Sequence, residues 1–283
     1  MTNTFILSGV TFVYLFSMLF YVLRMLRGRE FWGRAATVLS LAGLAAQTVA
    51  LALRWKESYL LGIGHAPFSN FYESLIFLAW AIVLLYLIVE WRTGNRSLGA
   101  FTLPVAFIAM AYASFSPDVN SRIQPLIPAL QSNWLVSHVV TCFLGYAGFT
   151  VALGFSVMYL LKERRDGKKG DERKQTFVTF IPSVESLDEL IYQSVVLGFI
   201  LLGLGIITGS VWANNAWGAY WSWDPKETWS LITWLIYALM LHARLVRGWR
   251  GRRTAVIAVI GFASMLFTYL GVNYLPGLHS YLK

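Results

Sequence analysis

Four tryptophans stand within the thirteen residues 217–229, WGAYWSWDPKETW. With Trp212 just before and Trp234 just after, half of the chain's 12 tryptophans fall between 212 and 234. Tryptophan and tyrosine gather at membrane interfaces, where one end of the ring system is dry and the other wet. That habit covers isolated residues such as Trp55, Trp91 and Trp134. It does not cover Trp212, Trp217, Tyr220, Trp221, Trp223 and Trp229 in one short stretch. A row of aromatic faces suits a large, flat, apolar ligand: a porphyrin, a quinone or an aromatic-rich peptide. Trp217 and Trp221 are four apart and share a face if the segment is helical. Gly218 beside them removes a side chain and allows close approach of a planar group.

The four histidines narrow the choice. Histidine inside an apolar span is a functional suspect, because burying an imidazole in lipid is costly. Haem iron takes axial imidazoles. His138 and His279 are therefore the candidates to flank a porphyrin on the tryptophans, and His242 lies deeper in an apolar run. Their sequence spacing is no metal motif, so the pairing depends on topology. Asp224 and Glu227 look catalytic but are better read as structural. An acid, a proline and a glutamate in DPKE make a capping box that opens a helix. NFYE at 70–73 repeats the device, with Asn70 as cap, and SLDE at 186–189 has the same form. A proton-relay role for Glu73 is weak beside its capping role. The one cysteine, Cys142, sits in an apolar run and reads as a small buried hydrophobe.

These residues need elements to carry them. The chain has 283 residues, 57% hydrophobic and 13% charged. Soluble domains carry about twice that share of charge. The apolar residues form long runs that predict an all-α polytopic membrane protein with about eight spans, since a span needs about 20 apolar residues. The runs lie near 4–24, 34–53, 71–91, 97–115, 134–161, 188–211, 228–248 and 254–274, with Pro104 expected to kink the fourth. The first run lacks the charged start of a cleavable signal peptide and is expected to be a retained helix. Net charge is +9, and 18 of the 23 Lys and Arg residues lie in alternate breaks between runs. That is the pattern of the positive-inside rule and excludes a nucleic-acid-binding domain. It predicts both termini outside, a cytoplasmic linker at 162–186 and an outer tryptophan-rich loop at 212–229 within one membrane domain, 1–283. His138 and His279 then share the outer face with the tryptophans. His242, about 21 Å of helix rise beyond Thr228, lies toward the cytoplasm.

WGAYWSWDPKETWSLITWLIYALMLHAR, with GHAPFSNFYESLIF at 64–77, SNWLVSHV at 132–139 and GLHSY at 277–281, resembles the tryptophan-rich WWD signature of haem-handling proteins. The likeness covers most of the chain and points to the CcsA/ResC family of the System II cytochrome c maturation pathway. It implies a haem-delivering subunit of a cytochrome c synthase that works with a CcsB/ResB membrane partner. Haem b would be presented for thioether attachment to the CxxCH of an apocytochrome c. By the resemblance His138 and His279 are the outer axial ligands, and His242 binds haem within the membrane with a ligand from the partner. No ligand role transfers to His65, which reads as a loop hydrogen-bonding residue. The bacterial plasma membrane or the thylakoid would house such a protein. A haem exporter without ligation activity and a structural membrane subunit with an aromatic girdle stay open as other readings.

Overall fold

The computed structural model describes residues 2–126, 130–166 and 179–276. Every regular element among them is helical. The long helices are α1 (Thr2–Arg27), α2 (Glu30–Leu60), α3 (Phe71–Thr93), α4 (Gly99–Phe115), α5 (Asn133–Asp166), α6 (Val184–Trp217), α7 (Pro225–Arg247) and α8 (Arg252–Tyr269). A 3₁₀ turn, Arg96–Leu98, leads into α4, and another, Gly271–Tyr274, follows α8. Eight helices are long and apolar enough to cross a membrane, the first 3₁₀ turn extending α4 and the second extending α8. The eight expected spans are all present. α2, α5 and α6 run well beyond their apolar cores, so the expected linker shrinks from both ends: α5 continues to Asp166 and α6 begins at Val184. Most of the linker between them, 167–178, lies outside the described residues, as does His279. Pro104 lies inside α4, which continues as helix on both sides of it.

The helices form two neighbouring sets. α1 packs on α2 and α4, and α4 on α3; α5 packs along α6 and α8, and α7 on α8. α3 meets α5 and joins the sets. The α5–α6 seam is the tightest. A Cβ on Gly148 would come 3.0 Å from the Gly198 backbone, and one on Gly145 would come 3.0 Å from the Leu202 nitrogen. In lipid, where apolar surface is not driven together by water, small residues that let backbones touch are what hold helices.

Several buried carboxylates are paired across helices, as a dry interior demands. Glu90 accepts from Tyr21 Oη at 2.9 Å, Thr37 Oγ1 at 2.6 Å and Tyr86 Oη. At the other end of α3, Arg54 donates from Nε to Glu73 Oε1 at 2.8 Å and from Nη1 to the Ser121 carbonyl at 2.9 Å. Glu73 also accepts from the Ser69 N–H and hydroxyl, both at 2.8 Å. Asn70 caps α3 as expected, accepting from the Glu73 N–H at 2.8 Å. With its oxygens so engaged, Glu73 is a structural anchor that draws two loops over the end of the bundle.

SLDE does not cap α6. Ser183 does, and Asp188 is one turn further in. There it holds Arg244 at 2.7 Å and accepts from the Gly251 N–H at 2.6 Å and Thr254 Oγ1 at 3.0 Å. Its carboxylate fastens the α7–α8 turn to α6, which a local reading of the sequence has no means to see.

Candidate functional site: an aromatic cleft beside His138

The tryptophan segment is not one loop. Trp212 and Trp217 belong to the last turns of α6, which ends at Gly218 in the left-handed conformation, φ 79°. Residues 218–224 are non-helical until Pro225 opens α7. Trp217 and Trp221 therefore do not share a helical face. Gly218 turns the chain, a conformation that costs a residue with a Cβ about 1 kcal/mol or more. Trp223 adopts a left-handed conformation without that licence, at φ 59°, and its side chain is 69% exposed.

DPKE is the capping box expected. Asp224 accepts from the Lys226 N–H at 2.9 Å. Glu227 reaches back to the Asp224 N–H at 3.3 Å and to the Ser222 N–H at 2.8 Å. The box thus holds the end of the tryptophan turn against the start of α7.

Where α5, α6, the turn and the starts of α3 and α7 meet, they enclose an open cleft. His138, Cys142, Trp212, Tyr220, Trp221 and Lys226 contribute to its walls, together with Phe68 to Phe71 and Tyr269. Its empty space is about 1050 Å³, mouth included. His138 is half-buried. Its Nδ1 lies 2.7 Å from the Gly205 carbonyl oxygen. A carbonyl can only accept, so Nδ1 carries the proton and Nε2 of the neutral ring keeps the lone pair. That is the tautomer a metal-ligating imidazole needs, held by a backbone partner. Trp212 lies nearly parallel to the imidazole, 16° between planes and 6.0 Å between centroids. Trp217 meets Trp212 edge-on at 4.9 Å.

The six expected aromatic residues therefore divide. Trp212, Tyr220 and Trp221 line the cleft. Trp217 buttresses Trp212, Trp223 stands edge-on to Trp221 at 5.7 Å, and Trp229 packs on Phe267 at 4.4 Å.

Cys142, Lys226, Gly205 and Gly209 also shape the cleft. Cys142 is buried, but at the cleft wall, its sulfur 3.6 Å from His138 Nδ1. Lys226 was passed over as an interior letter of a capping box. Gly205 and Gly209 on α6 make room: a Cβ on Gly209 would lie 2.5 Å from His138 Nδ1, and one on Gly205 2.4 Å from Cys142 Sγ. Their four-residue spacing, the small-xxx-small pattern of packed membrane helices, is the signal that was available.

His65 is buried in the 61–70 loop, with Nδ1 2.8 Å from the Ala66 carbonyl and Nε2 3.0 Å from that of Gln124. It ties loops together and does not reach the cleft lining. His242 is exposed near the basic end of α7. It shares an exposed stripe with Ile232, Leu235, Leu239 and Val246, residues spaced three and four apart. Of its arginine neighbours, Arg244 is not open to a ligand's carboxylates. It is buried, held by Asp188 and by Glu189 at 3.1 Å, with Tyr192 beneath its guanidinium.

The family model described as cytochrome c assembly protein matches residues 68–279, which span both walls of the cleft. Among curated proteins, the chain is 40% identical over 282 residues to the cytochrome c biogenesis protein CcsA of Pyropia yezoensis, covering 88% of this chain and 87% of that one. It is 44% identical to the CcsA of Parasynechococcus marenigrum, covering 83% and 82%. It is 45% identical to the CcsA of Chlamydomonas reinhardtii, covering 82% of this chain and 64% of that longer one. A solved structure titled cytochrome c heme lyase CcmF shares the fold, with a TM-score of 0.70 at 20% identity over 94% of this chain and 46% of the other. The chain belongs to the cytochrome c assembly protein family.

Proposed function

We propose that this integral membrane protein acts in cytochrome c maturation as the haem-binding and haem-presenting subunit of a System II synthase. Haem b is its substrate, seated in the aromatic cleft and offered to the CxxCH thiols of an apocytochrome c. One observation carries the reading: an imidazole whose Nδ1 is tied to the Gly205 carbonyl, so that Nε2 is the ligating nitrogen, in the wall of a cleft faced by Trp212 and Trp221. His138 supplies one axial ligand and His279 the other. Two axial imidazoles hold the iron, and the tryptophans hold the macrocycle. What remains for the chemistry is orientation, since addition of a thiol across a vinyl group needs the two held in reach. The reacting thiols are the client's. Cys142, buried against α6, is not required as a nucleophile.

His242 serves a second haem position toward the cytoplasmic side, with its axial partner from a CcsB/ResB-type chain. An imidazole on an otherwise apolar, exposed stripe is costly against lipid and is accommodated when another protein covers it. The cleft faces the periplasm or lumen and both termini lie on that side, in a bacterial plasma membrane or a thylakoid. The test is an absorption spectrum of the purified chain, with and without its partner, followed by addition of a CxxCH peptide. Bound haem and a thioether product are expected. Haem without thioether in the complete complex reduces the function to transport, and no haem in either preparation removes it.

A further inference from the structure

We propose that Lys226 binds a haem propionate in this cleft and so decides which edge of the macrocycle faces the client; the assignment rests on the haem reading above. Haem is an apolar disc with an uneven rim. Its two carboxylates lie at one edge and its reactive vinyl groups lie away from them. Aromatic faces and axial imidazoles do not distinguish one edge from another. A fixed cation does.

Among the described residues that line the cleft, Lys226 is the one lysine or arginine. Its position is set by the capping box, which holds its N–H on Asp224. The acid beside it in the cleft, Glu227, is already engaged by Ser222 and the Asp224 N–H. Lys226 is half-buried and has protein neighbours of its own, with Asp224 close enough to act on its charge. An ammonium has three donors, so a held lysine can still bind a carboxylate. Among the described residues, basic side chains are scarce at this end of the bundle: Arg54, Lys56, Arg122 and Lys226. Arg54 is committed to Glu73 and Ser121. A lysine placed where the membrane rule disfavours it, on the wall of an aromatic cleft, calls for an anionic ligand. With a propionate on Lys226 at the start of α7, the vinyl edge is directed away from that helix.

The test is haem titration of the full chain purified with its partner, using wild type, Lys226→Gln and Lys226→Arg. Each is titrated with haem and with haem dimethyl ester, whose propionates carry no charge. Glutamine keeps the backbone N–H that Asp224 caps. The expected result is that Lys226→Gln weakens haem binding by roughly tenfold, the scale of one charge-assisted hydrogen bond. Binding of the ester is unchanged, Lys226→Arg restores haem binding, and the axial-ligand spectrum is the same throughout. Equal weakening for haem and ester shows the lysine acting through packing and overturns the assignment, as does no weakening at all. Failure of the wild type to bind either compound overturns the haem reading itself, and this assignment with it.

Discussion

At the scale of single residues, the contact that matters most is the 2.7 Å from His138 Nδ1 to the Gly205 carbonyl. It selects the tautomer a ligating imidazole needs, so a substitution here should act on coordination before it acts on affinity. Trp221→Ala should do the reverse. Haem retention should fall by about 1–3 kcal/mol if stacking on bases is a fair guide, while the axial-ligand spectrum stays wild-type. Equilibrium titration alongside absorption separates the two effects. Asp224 is a cap, so Asp224→Asn and Asp224→Ser should retain most of the function. Asp224→Ala should lose about 1 kcal/mol of local stability, read as a lower unfolding temperature in detergent. If Asn were as inactive as Ala in a folded protein, the carboxylate would have a chemical role. Trp223 spends conformational energy at φ 59° to hold an exposed indole beside Trp221. Trp223→Gly should relieve about 1 kcal/mol or more of backbone strain while impairing thioether formation. Improved melting with full ligation activity would show that the exposed ring has no function.

At the scale of elements, the site depends on how close α5 and α6 can come. Gly205 and Gly209 form the bed in which Cys142 and His138 lie. Gly209→Ala adds one methyl at 2.5 Å from the imidazole, so the ring must move. The expected outcome is a folded protein with altered or lost axial ligation, and a wild-type spectrum in that variant would sink the positioning role. The spans themselves were legible because a bilayer imposes length and apolarity on each helix. Asn70 and Asp224 were legible as caps because capping is local. The break at Gly218 was not legible because four-residue spacing carries no information about whether the helix continues between Trp217 and Trp221. The Asp188–Arg244 pair was not legible because its members lie more than fifty residues apart in the chain. Lys226 was missed because its backbone explained the motif and left its side chain without a question.

At the scale of the whole molecule, two sets of helices meet along α3 and α5, and the cleft opens at one end of that junction. Charge asymmetry predicts the orientation: a reporter fused after Lys283 should be active outside, and one inserted near Lys169 should be cytoplasmic. Two reporters on one side would refute the eight-span topology. The proposed partner subunit would cover the exposed stripe that bears His242. His242→Gly should lower the haem that co-purifies with the complex, and added imidazole should return part of it. The most direct test of the account is the absorption spectrum of haem in the purified complex, compared between wild type and His138→Gly with and without imidazole. The account predicts that a six-coordinate, imidazole-ligated component present in the wild type is lost in the variant and reappears when imidazole fills the vacated position. A His138→Gly spectrum indistinguishable from wild type would contradict it.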